Sequence, residues 1–267
     1  MTENKKKNFY ITTPIYYASG NIHIGHTYCC VVSDTIARYK RLAGYNVRFM
    51  TGSDEHGQKI QEKAIAANME PQAYVDKIAD SFKEVWKAMD ISYDYYVRTT
   101  DPSHVALVQK VFSELLEKGH IYLGEYKGWY CTPCETFWSD SQCETNEKGE
   151  HLCPDCHRPV HLDSEQAYFL NVKAFENWLM EYYQEHPNFF SADKMNEMIN
   201  TFLKPGLEDL CITRTSFTWG VPTKEDPKHV VYVWIDALLN YISALGYKTE
   251  DEELMKTFWG EDTEILQ

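Results

Sequence analysis

The sequence predicts an α/β protein in which a parallel sheet is interrupted by a cysteine-rich insert. Three observations support this prediction: a strand–helix–strand pattern over residues 9–51, two Cys-x-x-Cys pairs over residues 131–156, and a return of strand and helix patterns over residues 230–245. A strand, a helix and a strand in this order form a βαβ unit, whose two strands run parallel. The chain has 267 residues, enough to bury a sizeable core.

The βαβ unit is predicted element by element. Residues 9–13 are aromatic and β-branched, which predicts a buried strand that Pro14 ends. Residues 24–42 predict a helix, because apolar residues recur at helical spacing and Gly44 follows as a stop. This apolar stripe consists of Ile24, Tyr28, Val31, Val32, Ile36, Tyr39 and Leu42. Residues 47–51 predict the second strand.

The rest of the chain departs from this pattern and then returns to it. The predicted segments are, in order, helices over residues 75–89 and 108–116, hairpins over residues 121–138, an amphipathic segment over residues 178–190, irregular structure over residues 213–229, a buried strand over residues 230–234 and a helix over residues 237–245. The α/β layer therefore resumes after an insert of different composition.

The composition excludes several classes of protein. There are 26 basic and 40 acidic residues, a net charge of −14, so the bulk charge does not favour binding of nucleic acid. Residues 230–245 are the most apolar stretch, but Asp236 and Asn240 interrupt it, so we expect no membrane span. Residues 1–7 are polar and lack the apolar core of a signal peptide. We therefore expect a cytoplasmic protein with no membrane partner.

The first candidate site is the motif His23-Ile24-Gly25-His26, which opens the first helix directly after the first strand. In parallel α/β sheets, ligands bind outside the carboxyl ends of the strands, where a helix N-terminus favours anions. Two imidazoles three residues apart share a helix face and suit a phosphate group whose charge grows in a transition state. The alternative is that both histidines are solvated or satisfy local hydrogen bonds.

The second candidate site is Gly52-Ser53-Asp54-Glu55-His56-Gly57, which follows the second strand at the same edge of the sheet. Its two adjacent carboxylates could hold the ammonium group of a substrate. The alternative is that a Ser or Asp of this segment caps a helix that starts near Gln58.

The third candidate site is a metal centre. The pairs Cys131/Cys134 and Cys153/Cys156 have the spacing of a structural tetrahedral zinc site, and four thiolates leave no open position for catalysis. Free buried thiols are the alternative, and they do not suit a polar loop. The possible substitute ligands are Cys143, His151 and His157. The remaining cysteines, Cys29, Cys30 and Cys211, stand in apolar contexts and are interpreted as small core residues.

These motifs together resemble one family. The ordered series is Ile11-Thr12-Thr13-Pro14-Ile15-Tyr16-Tyr17, then the two motifs at residues 23–26 and 51–57, then the cysteine insert, then Tyr232-Val233-Trp234-Ile235-Asp236-Ala237-Leu238-Leu239-Asn240-Tyr241. It is similar to the bacterial methionyl-tRNA synthetases, which are class I enzymes, over residues 8–260.

The resemblance implies an aminoacyl-tRNA ligase. It would activate L-methionine with ATP and Mg²⁺ to methionyl-adenylate and then transfer the methionyl group to tRNA(Met). The implied fold is a Rossmann-like nucleotide-binding domain split by a connective insert that binds structural Zn²⁺. The implied domains are residues 1–117 (first half of the catalytic domain), 118–228 (insert, with a zinc knuckle at 131–156) and 229–267 (start of the second half).

The resemblance also implies roles for particular residues. The implied catalytic residues are His23 and His26. The implied ATP-binding residues are Thr12, His23, Gly25 and His26. The implied methionine-binding residues are Ile15, Tyr17, Asp54, Trp234, Ala237, Leu238 and Tyr241. The implied zinc ligands are Cys131, Cys134, Cys153 and Cys156. Aromatic side chains suit the polarizable thioether of methionine, and the carboxylate of Asp54 suits its ammonium group.

One family feature has no counterpart in the sequence. The family carries a Lys-Met-Ser-Lys-Ser loop, and Lys194-Met195-Asn196-Glu197 does not match it. We therefore expect a truncated chain that neither forms methionyl-adenylate efficiently nor charges tRNA on its own. Two alternative functions stay open: another class I synthetase or related nucleotidylyltransferase, and a non-catalytic zinc-ribbon-like binding module.

Overall fold

The computed structural model describes residues 6–134, 136–138, 140–146, 148–260 and 262–267, with only the backbone described for Thr136 and Ser141. The polar start over residues 1–5 lies outside the described residues. The chain divides into two compact units. The first runs up to Val111 and resumes at Phe217, and the second is Phe112–Ser216. In the described part of the chain, no helix combines the length and the apolar character that crossing a membrane requires.

The strands and helices are numbered in chain order. The strands are β1 (Asn8–Thr12), β2 (Tyr16–Tyr17), β3 (Asn46–Asp54), β4 (Tyr95–Arg98), β5 (Ile121–Cys131), β6 (Thr136–Trp138), β7 (Glu144–Thr145), β8 (His151–Leu152), β9 (His161–Leu170), β10 (Leu210–Cys211), β11 (Thr213–Arg214), β12 (Val221–Pro222), β13 (Val230–Val231) and β14 (Thr263–Leu266). The helices are α1 (Ile24–Leu42), α2 (Gln58–Ala66), α3 (Pro71–Ala88), α4 (Pro102–Glu117), α5 (Glu176–Glu185), α6 (Ala192–Glu197), α7 (Val233–Asp236), α8 (Asn240–Ser243) and α9 (Glu253–Phe258).

A parallel sheet forms the centre of the first unit. β1 pairs with β3 in parallel from Asn8 opposite Asn46 to Thr12 opposite Met50, which confirms the predicted βαβ unit. β4 pairs with β3, β14 pairs with β1, and β2 pairs with the last two residues of β3, all in parallel. The sequence did not predict β4 or β14, because each has only four residues.

Helix α1 has the predicted bounds, but most of the predicted apolar stripe does not face the core, although Ile36 packs against a core cluster. Tyr28 is 70 % exposed and Leu42 is 89 % exposed, whereas Cys30, Asp34 and Ala37 are buried. Asp34 is buried because the backbone N–H and the hydroxyl of Ser92 donate to its carboxylate. The helix therefore packs on the sheet through small and hydrogen-bonded side chains.

The predicted strand over residues 230–234 is wrong beyond Val231. The next residues form the short helix α7, and the predicted helix over residues 237–245 is shortened to α8, which follows a turn at residues 237–239. A continuous apolar run does not distinguish a buried strand from a helix. Here the run contains Asp236, which is buried, and a buried carboxylate needs polar partners. Helix α7 places Asp236 next to such partners.

The second unit is built on a long antiparallel ribbon. β5 and β9 pair from Ile121 opposite Leu170 to Tyr130 opposite His161, and β6 pairs with the end of β5, as the predicted hairpin requires. Gly124 lies under the ring of Phe169, where an added Cβ would come 3.0 Å from that ring. The ribbon ends at Cys131, which begins the metal cluster described below.

Candidate active site and metal centre

The two histidines of the first motif cap helix α1 and each other. His23 is the N-cap residue, and its Nδ1 accepts a hydrogen bond from the backbone N–H of Gly25 at 3.1 Å. The Nδ1 of His26 accepts from the backbone N–H of His23 at 3.0 Å. The imidazoles therefore form a reciprocal capping box, with ring centroids 4.0 Å apart. The local hydrogen bonds use Nδ1 of each ring, so they are compatible with a phosphate group bound at Nε2.

The capping bonds also fix the tautomer of each ring. Because Nδ1 accepts a hydrogen bond in both imidazoles, the proton of the neutral ring resides on Nε2. Burial lowers the pKa of His26, and the neighbouring His23 lowers it further. His26 is therefore a neutral donor at pH 7. The pair presents two Nε2–H groups at a helix N-terminus whose first turn contains no acidic residue.

Tyr16 connects this helix terminus to the sheet. Its ring packs edge-on against the imidazole of His26, with centroids 5.0 Å apart. Its hydroxyl donates to the backbone carbonyl of His26 at 3.2 Å and lies 3.2 Å from the Sγ of Cys30. Thr12 ends β1 nearby in the chain, and its buried Oγ1 has no hydrogen-bond partner among the described residues.

The end of β3 places Asp54 beside β2. Asp54 is paired in register with Tyr17, and its backbone carbonyl accepts from the N–H of Ala18. Burial and, to a smaller extent, the negative charge of Asp236 raise the pKa of Asp54 to about 7, and His56 opposes the rise. Among the described residues no salt bridge gives this partly buried carboxylate a counter-ion, and the negative charge of Asp236 lies nearby. An ammonium group would supply a counter-ion.

Glu55, the other carboxylate of this motif, is not available to a ligand. It is fully buried, and Arg98 donates to both of its oxygens at 2.7 and 2.8 Å. The hydroxyls of Ser53 and Thr100 complete its hydrogen bonds. The prediction that both carboxylates could bind the ammonium group of a substrate is therefore wrong for Glu55. The predicted Ser or Asp cap is also wrong, because α2 begins after Gly57 without a side-chain cap.

A buried cluster behind Asp54 was not predicted from the sequence. The carboxylate of Asp236 lies between two imidazoles, with Oδ2 2.7 Å from Nδ1 of His56 and Oδ1 3.0 Å from Nε2 of His104. Burial lowers the pKa of His56, but Asp236 and the neighbouring carboxylates outweigh it and raise the pKa overall. The available signal was Asp236 itself, since a polar residue in an apolar run needs a buried partner.

The other predicted methionine-binding residues differ in burial. Ala237 is buried, whereas Trp234 and Leu238 are about half exposed, so Trp234 does not lie on a buried strand. Ile15 and Tyr241 pack against one core cluster around Tyr10, whose hydroxyl donates to the carbonyl of Tyr241. Two contacts therefore bring the elements of this site together. The register of Tyr17 with Asp54 joins β2 to the end of β3, and the contact of His56 with Asp236 joins the residues after β3 to α7. The histidine pair connects to them through Tyr16.

The four predicted cysteine ligands form one cluster in the second unit. The four Sγ atoms all lie within 4.8 Å of one another, with Cys131 3.5 Å from Cys156 and Cys134 3.8 Å from Cys153. Tetrahedral zinc with Zn–S bonds of about 2.3 Å places sulfur atoms roughly 3.8 Å apart, so the cluster fits zinc. The sulfurs are too far apart for disulfides.

The possible substitute ligands lie outside this cluster. In the described ranges, Cys143 is not among the residues whose ligand atoms converge there. His151 lies 2.8 Å from the carboxylate of Asp140 and its ring contacts that of Trp129 at a tilt of 38°, and His157 lies 2.8 Å from the carboxylate of Glu144. Cys30 and Cys211 are buried, as expected of core residues, and Cys29 is partly buried.

A family model described as tRNA synthetases class I (M) matches residues 9–267. The chain belongs to the class I tRNA synthetases of type M. Membership in this family confirms the predicted fold class, a class I synthetase domain with a parallel sheet, and the close cysteine cluster fits the predicted zinc insert.

Curated relatives in this family are methionine–tRNA ligases. That of Clostridium tetani is 54 % identical over 98 % of this chain, and that of Bacillus subtilis is 51 % identical over 98 %. In both comparisons the match covers 40 % of the relative, so the chain spans less than half the length of these synthetases. The resemblance predicted from the sequence motifs is confirmed.

Solved synthetase structures show the same fold. Methionyl-tRNA synthetase of Mycobacterium tuberculosis in complex with methionyl-adenylate matches with a TM-score of 0.85 and 39 % identity over 97 % of this chain and 51 % of that chain. The apo form of the same synthetase matches with a TM-score of 0.76 and 36 % identity, over 99 % of this chain and 51 % of that chain.

Proposed function

We propose that the chain carries the methionine and ATP sites of a methionine–tRNA ligase, which activates L-methionine to methionyl-adenylate and then transfers the methionyl group to tRNA(Met) with release of AMP. The observation that carries the proposal is the position of Asp54, a partly buried carboxylate at the carboxyl end of a parallel strand that forms no salt bridge among the described residues. It lies in a family whose solved relative holds methionyl-adenylate. The proposal places the protein in the cytoplasm, where translation takes place.

In the proposed reaction, the methionine carboxylate attacks the α-phosphorus of ATP. A carboxylate oxygen forms the new P–O bond, and the bond to the β-phosphate breaks to release pyrophosphate. No covalent enzyme intermediate is needed, so positioning and charge stabilisation carry the catalysis. The Nε2–H groups of His23 and His26 donate to phosphate oxygens, where negative charge grows in the transition state. Mg²⁺ enters with ATP as part of the substrate.

Further residues bind ATP at the start of α1 in this proposal. Gly25 has no side chain, and an added Cβ would come 3.0 Å from the imidazole of His23, so glycine preserves both the capping bond and the space for phosphate. The Oγ1 of Thr12 is buried without a partner among the described residues, and a ligand hydrogen bond would satisfy it.

The methionine site is proposed between β2, the end of β3 and the α7–α8 segment. The carboxylate of Asp54 binds the ammonium group. The side chain of methionine packs against apolar and aromatic groups, which suit a polarizable thioether. The residues proposed to line it are Ile15, Tyr17, Trp234, Ala237, Leu238 and Tyr241.

The cysteine cluster is proposed to bind Zn²⁺ as a structural ion. Four thiolate ligands close the coordination sphere, so the metal stabilises the polar segment around it and takes no part in the reaction. The proposed domains remain residues 1–117, 118–228 and 229–267, with the zinc knuckle at 131–156 in the connective insert.

Ligand-dependent thermal shifts test the proposed substrate. We expect L-methionine to raise the melting temperature of the chain, whereas leucine, valine and cysteine at the same concentration change it little. The matched control is Asp54→Asn, which keeps the size of the side chain and removes its charge, and which should abolish the shift. A shift with leucine or valine equal to that with methionine would instead favour another class I synthetase, and no shift with any amino acid would contradict the proposal.

A further inference from the structure

His104 makes two buried hydrogen bonds, although it belongs to neither proposed ligand site. The imidazole is 1 % exposed and uses both ring nitrogens. Nε2 lies 3.0 Å from Oδ1 of Asp236, and Nδ1 lies 2.9 Å from Oγ of Ser243. Nε2–H donates to the carboxylate of Asp236, and Nδ1 pairs with the hydroxyl of Ser243, which also lies 3.2 Å from the backbone carbonyl of Asn240.

These bonds join residues of three helices, and all of the bonded residues belong to the first unit. His104 lies in the first turn of α4, Asp236 ends α7, and Ser243 ends α8. The other oxygen of Asp236 binds His56, two residues after Asp54. The cluster therefore holds the α7–α8 segment against the end of β3, which are the two sides of the proposed methionine site.

We propose that His104 is a positioning residue for methionine binding, which acts by holding the carboxylate of Asp236 and, through it, α7 and His56. This inference rests on the proposed function. His104 itself is too deeply buried to contact substrate, so it acts only through Asp236. The proposed phosphate site at the start of α1 is held by its own capping bonds, between His23 and His26.

The mechanism follows from the burial of Asp236, which is 2 % exposed. Without His104, Oδ1 of this carboxylate loses its hydrogen bond in a place that water does not reach, which is costly for a charged group. The carboxylate then moves towards another donor and carries α7 with it. Trp234 and Ala237 flank Asp236 in the chain, so the wall of the methionine site moves as well.

Two isosteric variants separate this role from simple support of the fold. The amide nitrogen of Gln reaches the position of the imidazole Nε2, whereas the amide of Asn reaches only that of Nδ1. His104→Gln therefore keeps the bond to Asp236, and His104→Asn keeps only the bond to Ser243. The Kd values for methionine and for ATP are measured by calorimetry on the purified chain. The variant His161→Asn, at an exposed histidine of the ribbon, serves as a control.

We expect His104→Asn to weaken methionine binding by about tenfold or more and ATP binding by less than about twofold, because a buried charged acceptor loses its partner. His104→Gln should retain methionine binding within about threefold, and His161→Asn should match the wild type. Wild-type methionine binding in both variants would overturn the inference. The inference would also be overturned if His104→Asn and His104→Gln each lost methionine affinity and ATP affinity to the same extent, because that result indicates general damage to the fold.

A further variant keeps the test decisive if His104→Asn does not fold. Asp236→Asn preserves the size of the side chain and removes the charge that both imidazoles bind. It should weaken methionine binding by about tenfold with ATP binding retained, and unchanged methionine affinity would overturn the inference. If the wild-type chain itself does not bind methionine, the proposed function fails, and this failure is distinct from an effect of His104.

Discussion

Protonation of Asp54 should control the affinity for methionine between pH 6 and pH 8. Burial raises the pKa of Asp54 to about 7, with Asp236 adding to the rise and His56 opposing it. With that pKa, the ionised fraction is about 0.09 at pH 6 and about 0.91 at pH 8. Because only the ionised form attracts the ammonium group, the Kd for methionine should be about tenfold weaker at pH 6 than at pH 8.

The same carboxylate should destabilise the unliganded protein at neutral pH. A pKa raised from 3.8 to about 7 means that the folded state favours the protonated form. The cost is absent below about pH 4, grows as the pH rises and is complete above about pH 7, where it is at most about 4 kcal/mol. Asp54→Asn should therefore raise the free energy of unfolding at pH 8 and leave it unchanged at pH 4.

Calorimetry and urea denaturation across this pH range test both effects. Asp54→Asn should bind methionine weakly at every pH, without the tenfold change. The control is Asp80→Asn, which alters an exposed carboxylate on α3 and should preserve the pH dependence. A wild-type Kd that stays constant from pH 6 to pH 8, or an Asp54→Asn variant that is less stable than the wild type at pH 8, would refute the reasoning.

Three further predictions test other parts of the molecule. His23→Asn should keep the stability of the wild type, because Asn is a good N-cap, whereas His23→Ala should lose about 1 kcal/mol. Both variants should slow ATP–pyrophosphate exchange when the chain is joined to the remaining part of a related synthetase, and wild-type exchange in His23→Asn would contradict the phosphate role. Metal analysis should find about one zinc ion per chain and almost none in Cys153→Ser, and equal zinc content in the two proteins would exclude the cluster as the site. Glu55→Ala should lower the free energy of unfolding by about 3 kcal/mol in urea, because Arg98 loses its buried partner and keeps only its ion pair with the half-exposed Asp76. A loss below about 1 kcal/mol would show that the Glu55–Arg98 pair contributes little.

The sequence predicted the elements that have strong local patterns. Helix α1 was predicted at its observed bounds, since its apolar spacing and its Gly stop agree. The cysteine cluster was predicted from spacing alone, because two Cys-x-x-Cys pairs have few other uses. The strands β1 and β3 were predicted as parallel from the order of elements.

The sequence failed where tertiary contacts decide the structure. The apolar stripe of α1 predicted the helix but not its buried face, because the sheet accepts small side chains such as Ala37 and a hydrogen-bonded Asp34. The run from Val230 to Trp234 was predicted as a strand. Instead, residues 233–236 form helix α7, in which Asp236 pairs with His56 and His104. Both partners are far away in the sequence, so the local pattern did not reveal them.

The candidate site shows the same division. The capping box of His23 and His26 lies within one helical turn, and local hydrogen bonds of these histidines were an alternative that the motif left open. Which of Asp54 and Glu55 remains free for a ligand depends on Arg98, which approaches from β4, a strand the sequence did not reveal.

A crystal structure of the chain with a non-hydrolysable methionyl-adenylate analogue tests the central claim most directly. The account predicts that the ammonium group lies within about 3 Å of the carboxylate of Asp54 and that a phosphoryl oxygen accepts from Nε2 of His23 or His26 at a similar distance. An analogue bound elsewhere, or with its ammonium group paired to another carboxylate, would contradict it.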